Sequence, residues 1–104
     1  MNGRVIIDTD GNIKTSGEIT AKKINIDETN KETASIGEGL LQQGDTKVTV
    51  KTTAVTENSR IFVTPKTLLA YPLVVTSTKK GESFTVSVKK SEDTDVKFSW
   101  WIVN

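Results

Sequence analysis

The stretch Val96-Lys97-Phe98-Ser99-Trp100-Trp101-Ile102-Val103 constrains the fold more than any other part of the chain. In a strand, successive side chains point to opposite faces. One face then carries Val96, Phe98, Trp100 and Ile102 and is apolar throughout, so it requires a second layer to cover it. The other face carries Lys97 and Ser99, then Trp101 and Val103. It starts polar and ends apolar, and its far end also requires cover. A Trp side chain buries up to ~250 Å², and at ~25 cal/mol per Å² leaving it in water forgoes several kcal/mol. Little apolar sequence is left for a third layer, which favours a neighbouring copy as the cover. The rival reading has Trp101 exposed to stack on a sugar ring.

The rest of the chain agrees with an all-β reading. Thr (16), Val (11) and Ile (9) dominate among 104 residues, and branching at Cβ suits a pleated surface. Turn signals recur about every ten residues, as expected of a β-sandwich or barrel. They include Gln43-Gly44-Asp45, Thr56-Glu57-Asn58-Ser59, Lys79-Lys80-Gly81-Glu82 and Ser91-Glu92-Asp93-Thr94-Asp95. Between them the predicted strands are Thr46 to Val50, Arg60 to Thr64 ended by Pro65, Leu73 to Thr76, Ser83 to Lys89 and Val96 to Val103. Ala34 to Gln42 reads as a strand broken or bulged at Gly37 and Gly39. Lys66 to Ala70 reads as a loop anchored by Leu68 and Leu69.

Residues 1–33 have a different texture. Val5-Ile6-Ile7, Ile13, Ile19, Ile24 and Ile26 are isolated apolar positions separated by polar residues and by Gly3, Gly11 and Gly17. Gly11-Asn12-Ile13-Lys14-Thr15-Ser16 is echoed by Gly17-Glu18-Ile19-Thr20-Ala21-Lys22. Runs this short form no stable isolated sheet, whereas a glycine-marked beat of short strands is the mark of a repeat or fibrous architecture. Residues 28–33 are a polar joint, predicted to be a loop. The expected organisation is thus a β-stem over residues 1–33 and an antiparallel β-sandwich head over residues 34–104. Both parts are short of a partner surface, and cyclic self-association supplies it. In a parallel homotrimer, Ile13, Ile19, Ile24 and Ile26 of the stem and Trp101 and Val103 of the head form the predicted interface.

Composition argues against most chemistry. The chain has no histidine and no cysteine, which removes the commonest general base, the commonest metal ligand and any thiolate. A net charge of +1 gives no global pull toward nucleic acid, and no apolar run approaches the ~20 residues of a membrane span. Asp8-Thr9-Asp10-Gly11-Asn12-Ile13 has the look of a calcium loop, yet two essential ligand positions fall on Ile6 and Gly17, so it reads as a turn. Gly37-Glu38-Gly39 lacks the following helix of a phosphate loop, and no motif supports a Ser–Lys dyad. The expectation is a non-enzymatic chain without cofactor or metal, with neither nucleic-acid binding nor membrane insertion.

Gly11-Asn12-Ile13-Lys14-Thr15-Ser16-Gly17-Glu18-Ile19-Thr20-Ala21 resembles the shaft repeats of phage tail fibres and related trimeric fibre proteins. Thr53 to Pro65, Gly81 to Val86 and Phe98 to Val103 are similar to the C-terminal head domains of such fibres and, more loosely, to the trimeric six-stranded H-type lectin sandwich. The Ser-Asp-x-Arg-x-Lys type of signature of self-cleaving fibre chaperones is absent. The resemblance implies a structural and adhesive tip module, located on a virion or otherwise extracellular, that registers three chains and contacts a host cell-surface glycan or protein. The alternative is a carbohydrate-binding sandwich acting as a monomer, with Tyr71 or Trp101 as the glycan contact.

Overall fold

The two most regularly alternating segments become the centres of two sheets. The computed structural model describes residues 5–104 and contains eight strands: β1 (Val5–Ile7), β2 (Ile13–Thr15), β3 (Ile36–Leu41), β4 (Lys47–Lys51), β5 (Arg60–Pro65), β6 (Val74–Lys79), β7 (Ser83–Ser87) and β8 (Val96–Val103). β8 is the middle strand of the sheet β3-β8-β5, and β7 is the middle strand of the sheet β4-β7-β6. All pairings are antiparallel, and no helix occurs among the described residues. The two three-stranded sheets form an all-β sandwich. Facing side chains fill it: Phe84, Val86 and Val88 from one sheet meet Val96, Phe98, Trp100 and Ile102 from the other, with Leu41 and Val55 completing the buried cluster. Phe84 and Trp100 meet edge to face, centroids 5.4 Å apart.

β8 keeps the predicted bounds, and its four inward residues are all buried. Leu69 packs against the core as expected, whereas Leu68 is almost fully exposed. β6 extends further than its sequence suggests and carries an irregularity between Val75 and Ser77. Pro65, which donates no ladder bond, closes the edge strand β5.

The expected break at Gly37 and Gly39 does not occur. β3 runs continuously and pairs with β8 without a shift, Gly37 opposite Trp100 and Gly39 opposite Phe98. The glycines make room for those rings. A Cβ on Gly37 would lie 2.7 Å from Trp100 Cζ2, and one on Gly39 would lie 2.5 and 2.9 Å from the ε carbons of Phe98. Each large inward ring of β8 thus occupies the space of a missing side chain on β3.

The polar joint is a turn, as predicted. Asp27 Oδ1 accepts hydrogen bonds from the backbone and hydroxyl of Thr29, and the Asn30 carbonyl accepts from the backbone of Thr33 and Ala34. Ala34 then enters the interior, where Thr52 holds it. Thr52 is 1% exposed; its hydroxyl donates to the Ala34 carbonyl at 2.6 Å and accepts from Ala54 N–H at 3.2 Å. Thr52→Val keeps the volume but strands both groups, so it is expected to cost about 1–3 kcal/mol. At ~4–8 °C per kcal/mol for a domain of this size, thermal denaturation followed by circular dichroism reads this directly.

The N-terminal hairpin stands apart. β1 and β2 are joined by a turn in which Gly11 has φ 83°. Asp8 accepts hydrogen bonds from Asp10 and Asn12, which hold its carboxyl below the usual range, the Asn12 backbone N–H being the main cause. The hairpin touches no strand of the sandwich. The described chain is accordingly elongated, 57 Å long and 28 by 23 Å across.

Candidate self-association surface

Register places the second face of β8 in the middle of an apolar row. Trp101 lies opposite Ile36 on β3 and opposite Phe62 on β5. Antiparallel neighbours share a face, so Ile36, Trp101 and Phe62 lie side by side across the outside of the sheet. The rings of Trp101 and Phe62 are 6.2 Å apart, tilted by 40°. Trp101 is 41% exposed and Phe62 54%. Val103 extends the patch toward Arg60, its partner on β5, and Leu40 lies beyond the polar row as a second exposed aliphatic.

The adjoining row is polar: Glu38, Ser99 and Thr64 are in register across the three strands. Glu38 forms an ion pair with Lys66. That hydrogen bond and charge hold the exposed Glu38 carboxyl below the usual carboxylate range. The Trp101 patch is therefore bounded along the strands by a charged and hydroxylated border.

Residues of the predicted stem reach this surface at one point. Ile24, Asn25, Ile26 and Glu28 close a cleft of about 310 Å³ against Ile36 and Trp101. Ile26 is half-buried. Ile13, Ile19 and Ile24 are all more than three-fifths exposed in the single chain. The backbone between β2 and the turn is equally uncovered: among the described residues, no hydrogen bond within the chain reaches the backbone of residues 18–26. Ile24, Ile26 and Trp101 are thus brought together, while Ile13 belongs to the hairpin and Ile19 to the bare segment.

Tyr71 is not part of this surface. It lies in the loop between β5 and β6, half-buried against the core, with Lys89 Nζ 5.4 Å from its ring centroid. It borders clefts formed by its own loop and by the turn at Lys90 to Asp93, not the cleft beside Trp101. Sequence reading missed Phe62, whose outward position follows from the alternation of Ile61 and Val63 inward, and missed Ile36, which only the β3–β8 register reveals. No group of three or more acidic side chains is arranged to hold a metal ion among the described residues.

The outer face of the β3-β8-β5 sheet thus carries an apolar patch beside a polar row. The chain belongs to the family described as K1 capsule-specific polysaccharide lyase, C-terminal domain, whose model matches residues 33–103. This membership agrees with the resemblance of the downstream sequence to C-terminal domains of phage fibres. No curated protein and no solved structure matches the chain.

Proposed function

We propose that the chain is a non-enzymatic C-terminal tip module of a trimeric virion fibre or spike. In this reading residues 1–33 are the stem, residues 34–104 the head, and three parallel copies bury Ile13, Ile19, Ile24, Ile26, Trp101 and Val103 against one another. The observation that carries it is the row Ile36–Trp101–Phe62, half-buried at Ile36 and exposed at both rings, and continuous with the stem at Ile24 and Ile26. The bare backbone of residues 18–26 supports it further, because an extended segment with open donors and acceptors pairs readily with copies of itself. Family membership supports the terminal position on a virion protein whose catalytic work is done elsewhere. Contact with a host-surface glycan or protein is the adhesive part of the same role.

Light scattering of the full chain and of residues 31–104 tests the proposal. The full chain is expected to have three times the single-chain mass at micromolar concentration. The shortened chain is expected to dissociate at protein concentrations at least tenfold higher than the full chain. A stable monomer of the full chain would overturn the proposal.

The exposed Trp101–Phe62 pair also favours a second reading, a monomeric carbohydrate-binding module that stacks a sugar on these rings. A family named for a polysaccharide lyase supports it. It predicts single-chain mass and a tryptophan fluorescence change on glycan titration.

A further inference from the structure

The end of the sandwich opposite the entry of β3 gathers three loops. β3 begins across from Trp101, near the end of β8, and finishes across from Val96, at its start. The loops β3–β4, β5–β6 and β7–β8 therefore share the far end. Glu92 ties them together: its carbonyl accepts from Gly44 N–H at 3.0 Å, and its Oε1 accepts from Ala70 N–H at 2.9 Å. Loops held on a rigid scaffold are where binding residues concentrate, and loops already fastened to each other cost less to order around a ligand. Two clefts of about 550 and 350 Å³ open at this end, both in the size range of ligand sites. Tyr71 borders both. Its ring is fixed by packing on the core and by the Lys89 ammonium. Its hydroxyl bonds no protein group among the described residues. Trp100 Nε1 is the sole buried side-chain nitrogen or oxygen there without a partner, so the Tyr71 hydroxyl is open to solvent.

We infer that this loop end binds a neutral oligosaccharide, with Tyr71 at the junction of two subsites. In the smaller cleft Ser91 offers a donor and an acceptor, Asp93 an acceptor and Lys90 a donor. That mixture matches sugar hydroxyls, which both donate and accept. One lysine beside the carboxylates of Glu92 and Asp93 selects no anion, so the occupant is neutral. In the larger cleft Pro72 and the 98% exposed Leu68 offer apolar surface to the C–H face of a sugar ring. Two clefts meeting at one side chain require at least two linked sugar units. The inference rests on the adhesive part of the proposed role and gives it a site, away from the outer sheet face that carries Trp101. It does not depend on the trimer: a failed titration leaves the mass by light scattering untouched.

Tyr71 is the single tyrosine of the chain, so carbon-13 tyrosine labelling of the full chain gives one ring to follow by NMR. Titration with maltotetraose or with the tetramer of N-acetylglucosamine is expected to move the Tyr71 signals saturably, and tryptophan fluorescence followed in parallel is expected to stay constant. D-glucose and D-glucuronate are each expected to bind at least tenfold more weakly than the better tetramer. Asp93→Ala and Leu68→Ala alter exposed side chains, and each is expected to weaken the tetramer response about tenfold. The inference is overturned if neither tetramer gives a saturable Tyr71 shift, if glucuronate binds as well as the tetramers, or if both variants bind like the parent. A tryptophan response with an unmoved Tyr71 would overturn it in favour of the Trp101 face. A Tyr71 response to N-acetyl-leucine amide and to neither tetramer would overturn it in favour of a protein partner.

Discussion

A chain carrying Gly39→Ala is expected to melt about 12–24 °C below the parent. Gly39 has no positive φ, so alanine fits its backbone and the change isolates a single methyl group. That methyl would meet the ring of Phe98, which is fully buried and faces Gly39 across the β3–β8 ladder. Neither side can retreat, because the ladder fixes the backbones and Phe98 is enclosed by the core. Overpacking of this kind costs about 1–3 kcal/mol. The upper end applies where both neighbours are held, and ~3 kcal/mol translates at ~4–8 °C per kcal/mol for a domain of this size. Gly17→Ala, with nothing near its Cβ position, is expected to stay within ±0.5 kcal/mol. A double-mutant cycle makes the mechanism specific. Phe98→Ala alone is expected to cost about 3–5 kcal/mol, yet in that background Gly39→Ala is expected to add almost nothing, since the ring it would strike is gone. Strictly additive losses by calorimetry would refute the steric account.

In the proposed trimer, replacing Trp101 by glutamate is expected to separate the copies without unfolding the sandwich. Trp101 and Phe62 together leave roughly 200 Å² of ring surface in water in the single chain, taking about 150–250 Å² per aromatic side chain and the exposures of 41% and 54%. At ~25 cal/mol per Å² its burial is worth about 5 kcal/mol per copy. A charge at the centre of such a patch forfeits that gain and adds desolvation, as at the aromatic hot spots of other interfaces. Trp101 holds about half of that area, so with desolvation the loss is about 3 kcal/mol per copy, which for three copies raises the concentration at which the assembly dissociates by roughly three orders of magnitude. Sedimentation at several concentrations measures it, and the circular dichroism spectrum of the dissociated head is expected to match the parent. Phe62→Glu is expected to act in the same direction. A Trp101→Glu chain that keeps the parent's mass at every concentration would remove Trp101 from the interface. If that chain also loses a glycan response, the monomeric sugar-binding reading is favoured instead.

How much of this was legible in the sequence depends on the range of the forces involved. β8 and β7 were readable because a two-residue alternation is local: Phe84, Val86, Phe98 and Trp100 announce their own face. Gly37 and Gly39 were misread because their cause lies some sixty residues away, in rings that only strand pairing brings above them. Thr52 looked like one more hydroxyl among many. Its burial follows from meeting the Ala34 carbonyl, a contact that no spacing encodes. On the candidate surface, Trp101 and Val103 stood out because they break their own strand's polar face. Phe62 and Ile36 did not, since each is unremarkable until register sets it beside Trp101. Tyr71 was singled out for its ring alone, and its loop and Lys89 give that ring other company.

The sandwich also sets an order of events during synthesis. β3 and β5 both hydrogen-bond to β8 and not to each other, yet β8 is the last of the three to leave the ribosome. Until it emerges, the whole β3-β8-β5 sheet lacks its middle, and the nascent head has only the β4-β7-β6 half on which to build. Pairings between distant segments pay their loop-closure entropy before any contact rewards it. A polypeptide cut short before this strand therefore lacks the surface on which Trp101 sits.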